Sequence, residues 1–193
     1  MATPTNFEYN LPIPASEAMQ IVDSEGIIAM HNFIPTDLRE YALSELNIET
    51  STAQKQNLNR SFSFKNTGLW EMPGSSLAPA PLNIFSLAHH VSDYANRAEG
   101  VEWNPTEIFG HEYKVGEFVG NHSASMGALG HVAIATLDGL QEFHARLDDG
   151  TVASVELTAG SVLFLRGSEQ TGKARPAHWV SGAKTHRTAI SIK

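Results

Sequence analysis

Short runs of alternating or continuous apolar residues, separated by turn residues, fill the second half of the chain. Each run has the length of a strand, and the pairs Asp138-Gly139 and Asp149-Gly150 are typical of hairpin turns between strands. Eight short strands at regular spacing predict a sandwich or a barrel. The predicted strands are 108–115, 118–122, 132–137, 142–147, 152–157, 161–165, 177–180 and 188–192.

Two segments of the first half have helical periodicity instead. Thr36 is typical of a helix N-cap. Apolar residues follow it at helical spacing: Leu38, Tyr41, Ala42 and Leu46. A second helix is predicted from 81 to about 97, with an apolar face formed by Ile84, Leu87, Ala88, Val91 and Tyr94. We expect these two helices to brace one outer face of the strands.

The remaining segments are polar or rich in proline. The opening residues are interpreted as an extended arm, and residues 49–80 as loops or short strands that cover the core, with Trp70 and Met72 as candidate lid residues. We therefore predict one domain over 1–193. Residues 1–105 would contain the arm, the bracing helices and the lid, and residues 106–193 would contain the core barrel strands.

Composition agrees with one soluble globular domain. The chain has 193 residues, of which 41% are hydrophobic and 18% charged. No apolar run approaches the roughly 20 residues of a membrane span. The first residues lack the basic and apolar regions of a secretory signal, so the expected location is cytoplasmic.

Two further counts restrict the chemistry. The chain has no cysteine, so any metal must be bound by histidine and carboxylate ligands, and nine histidines are present. The net charge of -8 argues against nucleic acid as a partner, because phosphate-backbone binding depends on lysine and arginine.

Two histidines stand at the ends of predicted strands. His122 ends one strand and His178 begins another, and strands that are distant in sequence meet at the mouth of a jelly roll. Arg187 follows His178 across a short turn, at a place suited to pairing with a carboxylate deeper in the barrel. A lone histidine is usually structural, but the joint placement of this pair with Tyr113 and Arg187 favours metal ligation.

Four segments resemble the iron(II) and 2-oxoglutarate dependent oxygenases, and they occur in that family's order. They are the tyrosine-to-histidine strand pair 113–122, the glycine-led strand 160–165, the His178-Trp179-Val180 motif and the closing strand 187–191. The resemblance implies a mainly β fold with flanking helices, namely the double-stranded β-helix, which is a cupin-like jelly roll.

The same resemblance implies roles for five residues. His122 and His178 would bind Fe(II), and Arg187 would pair with the distal carboxylate of 2-oxoglutarate. Tyr113 would donate a hydrogen bond to that cosubstrate. His111 stands where some relatives, the oxidative nucleic-acid demethylases, carry an asparagine that contacts 2-oxoglutarate. O2 would be the second cosubstrate.

One position departs from the family pattern. The family's first metal motif is His-x-Asp or His-x-Glu, whereas this chain has His122-Ser123-Ala124. Halogenases of the family have alanine or glycine at that position, where chloride takes the place of the carboxylate and supplies its negative charge. Ala124 would thus form the halide site, with Ser123 beside it to bond the halide or a water.

Two other interpretations stay open. A carboxylate from elsewhere, for example Asp138 or Glu142, or a water would complete the site of a hydroxylase. Otherwise the domain is a catalytically weakened jelly-roll binding protein, either naturally or through an Asp-to-Ala change at 124. The expected substrate is a small molecule with an unactivated C–H bond, such as an amino acid, a nucleotide or a natural product. Nucleic acid is the less favoured class.

Overall fold

The computed structural model describes residues 7–48, 54–56, 59–65, 82–122, 130–167 and 172–193. The described helices are α1 (Ala15–Glu25), α2 (Thr36–Ile48) and α3 (Leu82–Ala95). The described strands are β1 (Glu8–Tyr9), β2 (Ile27–Met30), β3 (Gln54–Gln56), β4 (Asn59–Lys65), β5 (Glu107–Tyr113), β6 (Val119–His122), β7 (Val132–Asp138), β8 (Leu140–Arg146), β9 (Val152–Thr158), β10 (Val162–Leu165), β11 (His178–Val180) and β12 (Arg187–Ile192).

The strands form two sheets. The major sheet has the order β1-β2-β10-β7-β12-β5-β4-β3, and the minor sheet has the order β6-β11-β8-β9. Consecutive strands alternate between the two sheets for much of the second half of the chain, which is the winding of a double-stranded β-helix. The predicted fold class is confirmed.

Two apolar clusters cover the two faces of the major sheet. Strand β10 contributes side chains to both clusters, because successive side chains of a strand point to opposite faces. Leu163 and Leu165 belong to the cluster that includes minor-sheet residues, whereas Val162 and Phe164 belong to the cluster that includes the helices. A strand buried on both faces needs a continuous apolar run, which is what β10 has.

The elements predicted in the second half agree with the observed ones. Each of β5 to β12 begins and ends within two residues of its predicted bounds, and α2 and α3 lie where two helices were predicted. The predicted apolar face of α3 is buried throughout. The prediction for Tyr41 was wrong, because its side chain is 60% exposed instead of lying on the apolar face of α2.

The N-terminal region differs more from the prediction. A helix, α1, follows the prolines of the opening segment, where no helix was predicted, and its buried residues recur at helical spacing. Strands β1 to β4 join the major sheet, so strands of that sheet are not confined to 106–193. The candidate lid residues Trp70 and Met72 lie outside the described residues. Across the ranges that are described, every helix is too short or too polar to span a membrane.

Strand register sets the geometry of the site. In the minor sheet, the antiparallel strands β6 and β11 pair His122 with His178. In the major sheet, the antiparallel strands β5 and β12 pair Tyr113 with Arg187. All four predicted residues therefore stand at strand ends, two in each sheet.

Candidate metal and cosubstrate site

The two histidines lie at the same end of two neighbouring strands of the minor sheet. His122 ends β6 and His178 begins β11, directly opposite each other. Their ring centroids lie 4.3 Å apart. Directly opposed residues of antiparallel strands point to the same face, so both imidazoles are available to a single metal ion.

The backbone fixes the tautomer of each ring. Nδ1 of His122 lies 2.8 Å from the carbonyl oxygen of Gly120, and Nδ1 of His178 lies 2.9 Å from that of Pro176. Since a carbonyl oxygen only accepts, each Nδ1 donates a proton and each neutral ring keeps its lone pair on Nε2. This is the arrangement that metal-ligating histidines adopt. The pair therefore fits a metal on its Nε2 atoms.

Burial keeps the second histidine neutral. His178 is 7% exposed and stacks on Phe143, with ring centroids 5.5 Å apart. Burial lowers the pKa of His178 to about 4. A neutral imidazole is the form that binds metal, so this residue is ready to ligate at neutral pH without first losing a proton. His122, on an edge strand, is exposed.

Arg187 is a buried cation with neutral neighbours. Its side chain is 2% exposed, donates through Nη1 to Oε1 of Gln141, and donates through Nη2 to Oγ1 of Thr136 at 3.3 Å. Its guanidinium carbon lies 5.2 Å from the ring centroid of Tyr113. Burial lowers the pKa of Arg187 to about 10, so the group is still charged at neutral pH.

The charge of Arg187 has no protein counter-ion within the described ranges. No carboxylate there forms an ion pair with it, and its buried Nε has no hydrogen-bond partner among those residues. Burying an uncompensated cation costs several kcal/mol, so such a group is usually paired or awaits an anion. The guanidinium therefore fits the carboxylate of a ligand.

His111 lies in the major sheet beside Tyr113, with ring centroids 6.2 Å apart. It is two residues before Tyr113, on the same face of β5, and its Nε2 lies 3.1 Å from Oγ of Ser191. Burial is the main cause that lowers the pKa of His111 to about 3, and the nearby Arg187, Lys193 and His122 contribute to the same decrease. The ring is thus neutral and within electrostatic reach of both Arg187 and His122. Its contact with a cosubstrate stays a prediction.

The predicted position of the third metal ligand lies beyond the end of β6. Ser123 and Ala124 belong to 123–129, outside the described residues. Within the described ranges, no three His, Asp or Glu residues cluster to hold a metal. Asp138 and Glu142 therefore do not complete the histidine pair. Glu142 instead lies 3.9 Å from His144, and both alternate with inward residues of β8.

The sequence pattern did not reveal the residues that hold Arg187. Thr136 and Gln141 are both buried at 0% exposure and both bond its guanidinium. The burial of Gln141 could have been predicted, since it alternates along β8 with more exposed positions and shares its face with Phe143 and Ala145. A buried amide on the apolar face of a strand requires a hydrogen-bond partner. The partner itself, from another strand, was not evident.

Two further histidines, His144 and His131, have partners outside the pair. His144 stacks on Trp179, with centroids 5.2 Å apart, and bonds Oγ of Ser181 at 2.6 Å. His131 is buried and its Nδ1 accepts the N–H of Gly167 at 3.2 Å. Trp179 lies on the face of β11 opposite to His178.

Comparison with known proteins supports the architecture. No protein-family model matches the sequence, and no curated protein matches it. Among solved structures, a prolyl-4-hydroxylase of Pseudomonas putida is similar, with a TM-score of 0.68 over 92% of this chain and 96% of that chain. The sequence identity is 15%. At that identity the likeness establishes a shared fold.

Proposed function

We propose that this protein is an Fe(II) and 2-oxoglutarate dependent oxidoreductase that acts on a C–H bond of a small molecule. One observation carries the proposal: two imidazoles whose Nδ1 atoms donate to carbonyls, and whose lone pairs are therefore on Nε2, face each other in a fold that also buries a guanidinium without a carboxylate partner among the described residues. A metal and an anionic cosubstrate would satisfy both features. The similarity to a prolyl-4-hydroxylase structure agrees with this class.

Each residue of the site has a stated task in this proposal. His122 and His178 would hold Fe(II) through Nε2, in the tautomer that the carbonyls of Gly120 and Pro176 fix. Bound iron, with 2-oxoglutarate and O2, would supply the oxidant. Arg187 would bind the distal carboxylate of 2-oxoglutarate by charge-assisted hydrogen bonds, and the Tyr113 hydroxyl would add one more.

The neutral partners of Arg187 keep it available. Gln141 and Thr136 orient the guanidinium by hydrogen bonds but are neutral, so they do not compensate its charge. A carboxylate ligand would therefore find a donor group already fixed in place, which reduces the entropy cost of binding. His111, being neutral, would add no second positive charge beside that ligand.

Within this class we favour halogenation, with chloride bound to the metal at the position that Ala124 vacates. Electrostatics favours this choice. A family carboxylate at that position would lower the charge of the metal site, and alanine leaves both the space and the positive charge for a halide. Ser123 would offer a hydroxyl to that halide.

Hydroxylation is the second candidate, and the similar prolyl-4-hydroxylase structure favours it. A water in place of chloride would leave the rest of the site unchanged. A domain that keeps the fold and binds without turnover is the alternative to both enzymes.

The first experiment tests the oxidoreductase class. Fe(II) and 2-oxoglutarate are added under anaerobic conditions, and the visible spectrum is recorded. We expect a charge-transfer band, because that band requires 2-oxoglutarate bidentate on the iron. Variants His178→Ala and Arg187→Met should lose it at the same ligand concentration. A wild-type protein without the band would contradict the proposal and favour the binding protein.

A second experiment separates the two reactions. Chloride should shift the band of the wild type, and the products of a panel of amino acids, nucleotides and natural products are analysed by mass. Ala124→Asp should replace chlorinated by hydroxylated product, while the control Ala124→Gly should still chlorinate. Hydroxylated product from both the wild type and Ala124→Asp, with no chloride dependence, would exclude the halogenase.

A further inference from the structure

Arg166 connects three segments of the chain from a fully buried position. It follows β10 directly and is 0% exposed. Its guanidinium makes a bidentate pair with Asp148, at 3.0 Å between Nη1 and Oδ2 and 2.6 Å between Nη2 and Oδ1. Nη1 also donates to the carbonyl oxygen of Asp23, in α1, at 3.2 Å. The same side chain thus joins α1 to the turn between β8 and β9.

Three consecutive residues before β11 contact either Arg166 or Gly26, which is bonded to the backbone of Arg166. The carbonyl oxygen of Ala174 accepts from Nη2 at 2.8 Å, and Nε of Arg175 donates to the carbonyl oxygen of Arg166 at 3.2 Å. Pro176 packs on Gly26, so closely that a Cβ added to Gly26 would lie 2.5 Å from its Cγ. Gly26 in turn accepts the backbone N–H of Arg166 at 2.9 Å.

These residues lead directly to the buried metal histidine. The carbonyl oxygen of Pro176 is the acceptor for Nδ1 of His178. The next carbonyl, that of Ala177, accepts the backbone N–H of Arg146 at 2.8 Å. The backbone that presents this acceptor is therefore anchored on one side by strand β8 and on the other by Arg166.

We propose that Arg166 is a positioning residue for His178. By fixing residues 174–176, it sets the place of the Pro176 carbonyl, and that carbonyl sets the tautomer and the direction of the imidazole. The effect on metal affinity rests on the proposed function. The effect on the ring does not, because the hydrogen bond joins two groups of the protein itself.

The planar fork of arginine explains why this residue type is used. One guanidinium bonds two carboxylate oxygens and two carbonyls in fixed directions, which a lysine ammonium on a flexible chain cannot reproduce. Arg166→Lys keeps the charge and loses this geometry. It should therefore rescue only a fraction of what Arg166→Met loses.

The test uses the full-length, metal-free protein and two readouts. The first is the nitrogen NMR spectrum of the histidine rings, which reports whether His178 carries its proton on Nδ1. The second is the affinity for Mn(II), measured by titration. We expect Arg166→Met to mix the tautomers of His178 and to weaken Mn(II) binding about tenfold, the loss typical of groups that orient a metal ligand. Arg166→Lys should give intermediate values.

A destabilised control distinguishes positioning from loss of stability. Leu87→Ala, in α3, removes a buried side chain that has no role in the 172–177 segment. At a matched decrease in Tm it should keep both the His178 tautomer and the Mn(II) affinity. If it changed them as much as Arg166→Met does, the inference would be wrong. It would be equally wrong if folded Arg166→Met kept the wild-type tautomer and affinity.

The test can still be decided if Arg166→Met does not fold or if the wild type binds no Mn(II). If Arg166→Met does not fold, Asp148→Asn weakens the same anchor more mildly and should shift both readouts in the same direction by a smaller amount. Unchanged readouts in that variant would overturn the inference. If the wild type binds no Mn(II), the proposed function fails, whereas the ring spectrum still decides whether Arg166 positions His178.

Discussion

Two guanidiniums of this protein are buried to nearly the same extent and have opposite surroundings. Arg166 is 0% exposed and Arg187 is 2% exposed. Arg166 has a bidentate carboxylate, Asp148, and backbone carbonyls. Arg187 has a neutral amide, a hydroxyl and the face of an aromatic ring within the described ranges.

The difference distinguishes a structural ion pair from a ligand site. Arg166 lowers the pKa of Asp148 by hydrogen bonding, so both partners are charged and the pair is complete. Burial alone dominates at Arg187, where it lowers the pKa of the guanidinium. Burying a cation without a counter-ion lowers the stability of the folded protein, because the charge loses its hydration. We infer that binding of a carboxylate ligand recovers this cost.

The largest expected effect is at the uncompensated cation. Arg187→Met should weaken 2-oxoglutarate binding about 100-fold, because charge-assisted hydrogen bonds contribute up to roughly 3 kcal/mol. Calorimetric titration of the Mn(II)-loaded protein measures it. The same variant should not lower the free energy of unfolding of the cosubstrate-free protein by more than about 1 kcal/mol. The hydrogen bonds to Gln141 and Thr136 are lost, but so is the cost of burying a cation that has no counter-ion among the described residues. Wild-type affinity in the variant would contradict the assignment.

The next effect concerns the contribution of the Arg166–Asp148 pair to the stability of the protein. Arg166→Met should lower the free energy of unfolding by about 2 kcal/mol, because the carbonyls of Asp23 and Ala174 lose a charged donor. Asp148 contributes less to this loss, since its side chain is 47% exposed and regains water. Urea unfolding measures the change. Equal stability of Arg166→Met and Arg187→Met would remove the distinction between the two arginines.

A third effect concerns the pH dependence at His111. The pKa of this residue is about 3 in the folded protein and near 6.5 when unfolded, so between these values the unfolded chain binds more protons. Stability is therefore complete above about pH 6.5 and falls as the pH decreases. For the partly exposed His111, the loss from pH 7 to pH 5 should be about 1 to 2 kcal/mol.

The variant His111→Asn isolates this contribution, because other buried histidines titrate in the same range. Urea unfolding at pH 7 and pH 5 should show a smaller loss in the variant than in the wild type. An identical loss in both proteins would mean that His111 does not resist protonation in the folded state. Such a result would leave Arg187 without an electrostatic effect on His111.

The sequence predicted those features of the molecule that depend on local pattern. Strands β5 to β12 follow from alternating apolar residues and turn pairs, and α3 from its periodic apolar face. The pairing of His122 with His178 was predicted from their places at strand ends together with the family resemblance. Register between remote strands has no local signal, so the resemblance was necessary there.

The prediction failed where long-range packing decides. Helix α1 was missed because three prolines dominate the pattern of the opening segment, although Gly26, with φ of 96°, ends it in a typical manner. The partners of Arg187 were missed because Thr136 and Gln141 come from different sheets. The contacts of Arg175 also come from other segments of the chain. It donates hydrogen bonds to the backbone carbonyls of Arg166 and Gly130.

The smallest expected effect concerns the carboxylate of Asp148, the partner of Arg166. The folded-state pKa of Asp148 is lowered, chiefly by the hydrogen bond from Arg166, relative to a value near 3.9 when unfolded. Its contribution is therefore present above about pH 4 and is lost as the pH falls through the folded pKa. Because Asp148 is partly exposed, Asp148→Asn should cost less than about 1 kcal/mol at pH 6.

Acidification should reduce that difference between Asp148→Asn and the wild type, as measured by urea unfolding at pH 6, 4 and 3. Glu156→Gln is a matched control, since Glu156 forms an ion pair with Lys184 at 2.8 Å in which both side chains are about half exposed. The control should change stability by no more than about 0.5 kcal/mol. A difference for Asp148→Asn that does not depend on pH would mean that its carboxylate charge does not complete the pair. Arg166 would then be as uncompensated as Arg187, and the contrast between the two arginines would no longer identify the ligand site.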